Sequence, residues 1–316
     1  MPQSLALNKP WTVLVGPTGV GKTAVAEQIA KAFNTPIIVA DSRQVYQGMD
    51  IATNKPSLAC QKHIHRHLIN LVSPNDFFSA GAYKKEAELV IDHLTKKGKP
   101  ILIEGGTGLY IKALLYGLWE GPLKNMAIRQ DILEMEEGMA YQKLIKVDPV
   151  SAKKIHANDP YKIGRALEVF YMTGRPISSF HAEHRFASEP KNRFLMIGLR
   201  RDRADLVSRI EARVDRQFQD GLVKEVEALL QKGLSDKLPA LRALGILHVI
   251  SYIQGKKTHG ETVSLLKRDT RHYAKRQMTW FSADQNIFWI DLKSDESPLS
   301  TFDRILPLLC KAENKL

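Results

Sequence analysis

Residues 11–23 read Trp11-Thr-Val-Leu-Val15-Gly16-Pro17-Thr18-Gly19-Val20-Gly21-Lys22-Thr23. An apolar, β-branched run leads into a complete G-x-x-x-x-G-K-T, and Ala24–Phe33 continues with the spacing of a helix. This is the phosphate-cradling P-loop in its expected strand–loop–helix setting. Its glycines let backbone N–H groups turn toward an anion at a helix N-terminus. Lys22 adds a point charge, and the Thr23 hydroxyl can sit on Mg²⁺. The motif specifies a polyphosphate ligand. By itself it does not say whether that phosphate is transferred, hydrolysed or released.

Outward from this loop, strand and helix patterns alternate. Pro36–Ala40 reads as a second buried strand, Ala80–Lys97 as a helix, and Pro100–Glu104 as a third strand ending in Gly105-Gly-Thr107-Gly108. Such alternation predicts an α/β fold, a parallel sheet with helices on both faces. Function then collects in the loops at the carboxyl ends of the strands: Gly16–Thr23, Asp41–Tyr46 and Gly105–Tyr110. After Gly121-Pro122 no convincing strand appears until Arg193–Leu199, and another follows at Asn286–Asp291. The intervening residues read as short polar helices, notably Tyr161–Thr173 closed by Gly174. The reading is a discontinuous core domain (1–120 and 186–316) interrupted by an all-helical insertion (121–185).

The chain has 316 residues, a net charge of +12 and two cysteines, Cys60 and Cys310, far apart. Two such cysteines make neither a disulfide framework nor a zinc site. No apolar leader or membrane span is visible, so a soluble cytoplasmic protein is the expectation. The positive charge is local: residues 191–282 hold nineteen Lys and Arg against ten Asp and Glu. A localised basic region suits nucleic acid or another polyanion, or else a solvated helical face.

Several side chains stand out. Asp41 follows the second strand and could serve a metal or act as a general base, or could simply cap the next segment. Thr107 and its glycines could approach a substrate closely, or form a plain strand-to-helix turn. Arg209 and Arg213 lie four apart on one helix face, where one could clamp a diphosphate. Arg268, Arg271 and Lys275 form a stripe with Tyr273 and Trp280 interleaved, a pattern for phosphate contacts beside aromatics. Trp280 and Phe281 read as core before they read as base-stacking. His63, His65 and His67 alternate on a segment expected to be extended. Without a companion cluster they are a weak metal set.

Taken together, Gly16–Thr23, Asp41-Ser-Arg-Gln-Val-Tyr-Gln-Gly-Met-Asp-Ile51 with Lys55-Pro56, and Gly105–Tyr110 form an ordered set with Asn158-Asp-Pro, Arg165–Val169 and Tyr273–Phe281. In this combination the chain closely resembles the bacterial tRNA dimethylallyltransferases, from about residue 11 to 292. The resemblance implies a P-loop NTPase-like core and transfer of a dimethylallyl group from dimethylallyl diphosphate to N6 of the adenine 3′ of the anticodon. It implies Mg²⁺ as cofactor, Asp41 as base, Thr107 on the target adenine, and Arg213 on the diphosphate with Gly16–Thr23. It places tRNA contacts at Asp41, Ser42, Arg43, Gln44, Thr107, Arg129, Tyr161, Lys162, Ile163, Gly164, Arg165, Arg242, Lys275, Arg276 and Gln277. The implied protein is a monomer whose insertion grips the anticodon stem-loop.

Four stretches depart from the family pattern. Gly245-Ile-Leu-His248 replaces Gly-Tyr-Lys/Arg-Glu/Gln, and Ser282 stands where Arg is usual. Asn70 stands for Asp, and Ile51-Ala-Thr-Asn54-Lys55 for Ile-Gly-Thr-Ala-Lys. Competing readings are a prenyltransferase of free adenine nucleotides, a small-molecule kinase, and a paralogue that holds tRNA without modifying it.

Overall fold

The computed structural model describes residues 10–119, 121–183, 190 and 193–314. The chain divides into two compact units, Met1–Leu115 with Lys191–Leu316, and Tyr116–Pro190. The boundaries expected at 120/121 and 185/186 fall at residues 120, 185 and 186, outside the described residues.

In chain order the elements begin with β1 (Trp11–Val15), α1 (Lys22–Ala32), β2 (Ile37–Ala40), α2 (Leu58–His63) and β3 (Arg66–His67). Then come α3 (Ala80–Lys96), β4 (Leu102–Gly105) and α4 (Gly108–Tyr116). The helical stretch holds α5 (Met126–Leu133), α6 (Met139–Val147), α7 (Pro149–Ala152), α8 (Pro160–Thr173) and α9 (Ile177–Glu183). The chain ends with β5 (Phe194–Arg201), α10 (Arg203–Gln219), α11 (Leu222–Gln231), α12 (Leu244–Ile253), α13 (His259–Ser282), β6 (Ile287–Leu292) and α14 (Pro298–Asn314).

The six strands form one sheet in the order β3-β2-β4-β1-β5-β6, every pair parallel. Parallel strands buried on both faces read as continuous apolar runs, which is why this sheet was visible in the sequence. Leu14, Val39, Leu102, Ile197 and Leu199 pack with α1 and α14. The alternating residues Val13, Val15, Ile38 and Ile103 are fully buried too, so both faces are covered. β2 and β4 begin one and two residues later than the apolar runs, because Pro36 and Pro100 have no N–H to give a ladder. Of the segment expected to be extended, only β3 (Arg66–His67) is a strand. His63 lies at the end of α2 instead, so the alternating histidine set does not form.

In the helical unit Leu144, Ile163, Leu167 and Val169 form the core. Its longest helix, α8, is set by its ends. The Asp159 side chain accepts from Lys162 N, Pro160 occupies the first turn, and Gly174 closes the helix at φ 69°. These are the start and stop signals the Asn158-Asp-Pro and Thr173-Gly174 dipeptides carry.

Candidate active site

Because β2, β4 and β1 are neighbours in the sheet, the three loops at their carboxyl ends are neighbours as well. In the P-loop, Gly21 takes φ 108° as the N-cap of α1, a left-handed conformation that glycine adopts without strain. Arg209 Nε donates to the Gly19 carbonyl at 3.1 Å and Arg201 Nε to the Val20 carbonyl at 2.9 Å. A loop whose carbonyls are held by cations presents its amides to the opposite side, toward an anion. Lys22 Nζ rests on the Pro17 carbonyl at 2.9 Å.

Lys22 and Arg213 are half-buried cations. Burial pushes Lys22 below the ordinary lysine range, opposed by Glu104 and Asp41 and reinforced by Arg213. Burial brings Arg213 down to about 10, with Asp41, Tyr273 and Glu104 resisting. Arg213 therefore stays charged at neutral pH, and desolvated cations in a cavity favour a polyanionic ligand. Of the two arginines on the α10 face, Arg213 enters the cavity as a charge while Arg209 braces the loop.

Glu104 was missed at the sequence level. It pairs with Leu14 of β1 in parallel register, and the Thr23 hydroxyl donates to its Oε1 at 3.2 Å. Its Oε2 lies 4.0 Å from Arg66, which is itself paired with Glu27 at 2.7 Å. Burial pushes the Glu104 carboxyl up, with Lys22, Arg66 and the Thr23 hydrogen bond pulling the other way. The available signal was a single charge ending an otherwise apolar strand beside the P-loop strand. The Thr23 hydroxyl and the Glu104 carboxylate are hard oxygen donors at the N-terminus of α1. That pair fits Mg²⁺, which takes one or two protein oxygens and fills its octahedron with phosphate and water. Among the described residues no cluster of three His, Cys, Asp or Glu could cage a metal, which leaves a shared, phosphate-bound cation as the form that fits.

Asp41 divides its two oxygens. Oδ1 accepts from Arg43 N at 2.8 Å and Gln44 N at 3.3 Å, which is the capping role. No hydrogen bond engages Oδ2 among the described residues, so it stays available to a substrate proton. The Thr107 hydroxyl accepts from Ser42 N at 3.0 Å and lies 3.4 Å from Ser42 Oγ, tying the second loop to the third. Arg43 Nη1 donates to the Pro239 carbonyl at 2.8 Å, and Gln44 Nε2 to the Thr53 carbonyl at 3.3 Å.

The glycines of the third loop answer to the protein rather than to a ligand. A Cβ on Gly105 would lie 2.2 Å from the Ala40 carbonyl oxygen, one on Gly106 2.3 Å from Gln277 Nε2, and one on Gly108 2.1 Å from Trp280 Nε1. The first position lets β2 and β4 approach, and the other two let α13 lie against the loop. Trp280 is 49% exposed, so its assignment to the core is corrected: it covers Gly108 and keeps a free face, while Phe281 is buried.

The expected basic stripe on α13 is largely consumed. Arg271 pairs with Glu211 and Arg268 with Asp269 at 2.7 Å, leaving Lys275 with no ion pair among the described residues. Arg276 is exposed, 5.9 Å from the Tyr273 ring. Tyr273 is pushed up to about 12 by burial and by Asp41. Arg242 is exposed. Among the departing residues, Ile246 is core, Leu247 is exposed, and His248 is held between the Leu244 carbonyl and Asp269 at 3.0 Å.

In the helical unit Arg129 forks onto Glu168 through two 2.8 Å hydrogen bonds, and Arg165 adds a third at 2.6 Å. Tyr161 is exposed and Lys162 pairs with Asp159 at 2.9 Å. Ile163 is corrected as an RNA contact: its side chain is in the core, because it lies on the α8 face opposite Tyr161 and Lys162. Gly164 has open space above it.

The first unit's loops and α10, α12 and α13 line an open cavity of about 790 Å³, with Lys22, Arg213 and Asp41 on its wall together with the apolar Ala52, Leu244 and Leu266.

Fold and site thus define a P-loop protein of the group-transfer class, with a cavity beside its phosphate loop. Comparison supplies the particular family. Residues 44–284 match the family model described as IPP transferase, and the chain belongs to that family. It is 44% identical over 283 residues to tRNA dimethylallyltransferase 2 of Geotalea uraniireducens, covering 88% of this chain and 91% of that one. A crystal structure of tRNA delta(2)-isopentenylpyrophosphate transferase from Staphylococcus epidermidis superposes with a TM-score of 0.70 at 34% identity, covering 96% and 99% of the two chains. A eukaryotic dimethylallyltransferase acting on tRNA superposes with a TM-score of 0.73 at 28% identity, covering 90% and 74%.

Proposed function

We propose that this chain transfers a dimethylallyl group from dimethylallyl diphosphate to N6 of the adenine 3′ of the anticodon, in tRNAs reading codons that begin with U. The observation that carries the proposal is one cavity that the cations Lys22 and Arg213 share with Asp41, whose Oδ2 no hydrogen bond engages among the described residues, and with the apolar Ala52, Leu244 and Leu266.

The allylic C–O bond breaks and pyrophosphate leaves with its electron pair. Lys22, Arg213 and the P-loop amides are placed to receive that charge. The N6 lone pair forms the new C–N bond, and the N6 proton passes to Asp41 Oδ2. Thr107 positions the adenine and the loop that carries Asp41. Thr23 and Glu104 would hold Mg²⁺, which supplies further neutralisation of the leaving group when bound. An exocyclic amine is a poor nucleophile, so holding it against the allylic carbon supplies much of the rate.

The adenine must leave its stack to reach the cavity, as in other base-modifying enzymes. The helical insertion (121–185) grips the anticodon stem-loop through Tyr161, Lys162 and the free donors of Arg129 and Arg165. Arg242, Lys275 and Arg276 contribute phosphate contacts. The protein works as a monomer in the cytoplasm; no helix among the described residues is long and apolar enough to cross a membrane.

The test is incubation with Mg²⁺, carbon-labelled dimethylallyl diphosphate and tRNA, AMP or ATP, followed by digestion to nucleosides. Label in N6-prenylated adenosine from tRNA alone supports the proposal. Label in AMP or ATP makes it a free-nucleotide prenyltransferase, and tRNA binding with no label makes it a passive binder.

A further inference from the structure

Gln277 is 7% exposed, and its carboxamide lies between two of the site's loops. Its Oε1 accepts from the Thr18 N–H of the P-loop at 2.8 Å. Its Nε2 donates to the Gly106 carbonyl, at the end of β4, at 2.9 Å. The two loops come from adjacent strands, and Gln277 comes from α13, more than two hundred and fifty residues later than Thr18. Gly106 has no side chain where the carboxamide passes, and any Cβ would meet Nε2 at 2.3 Å. Both hydrogen-bonding ends of the amide are thus matched, with a space cleared for it.

We infer that Gln277 is a positioning residue for the prenyl diphosphate, a latch that fixes the P-loop against the Gly105–Gly108 loop, rather than a contact to RNA. The inference rests on the reading of the cavity as a diphosphate site. The resemblance puts Gln277 among tRNA contacts, but both ends of its amide are engaged within the protein and its side chain is buried. Its neighbours Lys275 and Arg276 remain exposed on the same helix. The helix α13 therefore has two jobs on two faces: an outer one open to a polyanion, and an inner one that sets the P-loop. Thr18 N–H is held away from the ligand, which fixes which amides of the loop remain for phosphate. With the latch removed, a part-buried N–H and a buried carbonyl lose their partners, and the loop must rearrange to rehydrate them.

The experiment compares the parent with Gln277→Met, which keeps the length of the side chain and removes both hydrogen bonds. Gln277→Leu serves if the first variant does not fold. Calorimetry with Mg²⁺ and inorganic pyrophosphate should show binding weakened about tenfold, the scale of one or two buried hydrogen bonds. Affinity for the tRNA should stay within about twofold, as expected when no RNA contact is removed. In steady state, the KM for dimethylallyl diphosphate should rise while the KM for tRNA does not. A folded variant that binds pyrophosphate as the parent does overturns the latch, whatever happens to RNA binding. A parent that binds no pyrophosphate instead overturns the diphosphate reading on which the latch depends.

Discussion

Asn54 and Asn70 take positive φ, 52° and 53°, a region that asparagine tolerates better than most residues. Both stand where this chain leaves the family pattern. Asn70 keeps the needed acceptor, since its Oδ1 receives Lys55 Nζ at 2.5 Å. These departures preserve local geometry and leave the loops around Asp41 in place. The position of Asp41 after the second strand was legible, but the residues alone left capping and base roles equally open, and only the resemblance chose the base. Its division into one capping and one open oxygen was not legible, since that depends on the turn it makes. Replacing Asp41 with alanine is expected to abolish prenyl transfer with tRNA affinity almost unchanged, measured by turnover and filter binding. Near-normal turnover would remove it as the base. Glu104 was illegible because its partners come from distant segments: Thr23 opens α1, and Arg66 lies on the edge strand. Glu104→Gln should raise the Mg²⁺ concentration for half-maximal activity about tenfold, the usual cost of losing a carboxylate that orients a metal ligand. An unchanged Mg²⁺ requirement would make Glu104 only the counterion of Arg66.

Among the elements, the parallel strands were readable from apolar runs and the helix ends from their caps, as with Asp159 and Gly174 around α8. The two-residue β3 was readable only as part of the extended segment expected around His63, His65 and His67, and its bounds were not. The Gly105–Gly108 turn was readable as glycine-rich, but the reason for each glycine lay in a partner from elsewhere. Gly105→Ala should force β2 from β4 and cost about 3 kcal/mol, the upper range for overpacking, seen in a urea titration. A loss under about 1 kcal/mol would mean that the strands can separate freely. In the helical unit, burial raises the Glu168 carboxyl, but hydrogen bonds from Arg129, Arg165 and Asn125 N outweigh it and bring it to about 2. An unfolded glutamate titrates at about 4.3, so this group's contribution is complete above that pH and is lost as pH falls toward the folded value. The protection of α5 and α8 amides relative to their intrinsic exchange rates should therefore fall as the pH drops from about 4.5 to 2. Glu168→Gln should flatten that dependence, and an equally steep profile in the variant would locate the acid sensitivity elsewhere.

For the molecule as a whole, the charge distribution pointed to a polyanion without deciding which residues face it. Much of the basic run on α13 and α10 is internally paired, as Arg271 is with Glu211 and Lys267 with Asp215 at 2.7 Å. Sequence spacing places such residues on a face but cannot tell which acids lie opposite. The P-loop alone suggests phosphoryl transfer. With Asp41, Glu104 and Arg213 around it, the proposed function makes it the seat of a leaving group. The most direct measurement of that claim follows both halves of the donor at once. Dimethylallyl diphosphate labelled in carbon and in phosphorus is turned over with tRNA in the absence of ATP. The account predicts one pyrophosphate released intact for each prenyl group found on adenine N6, with no phosphorus label in the RNA. Phosphorus label on an acceptor, or an absolute requirement for ATP hydrolysis, would contradict it.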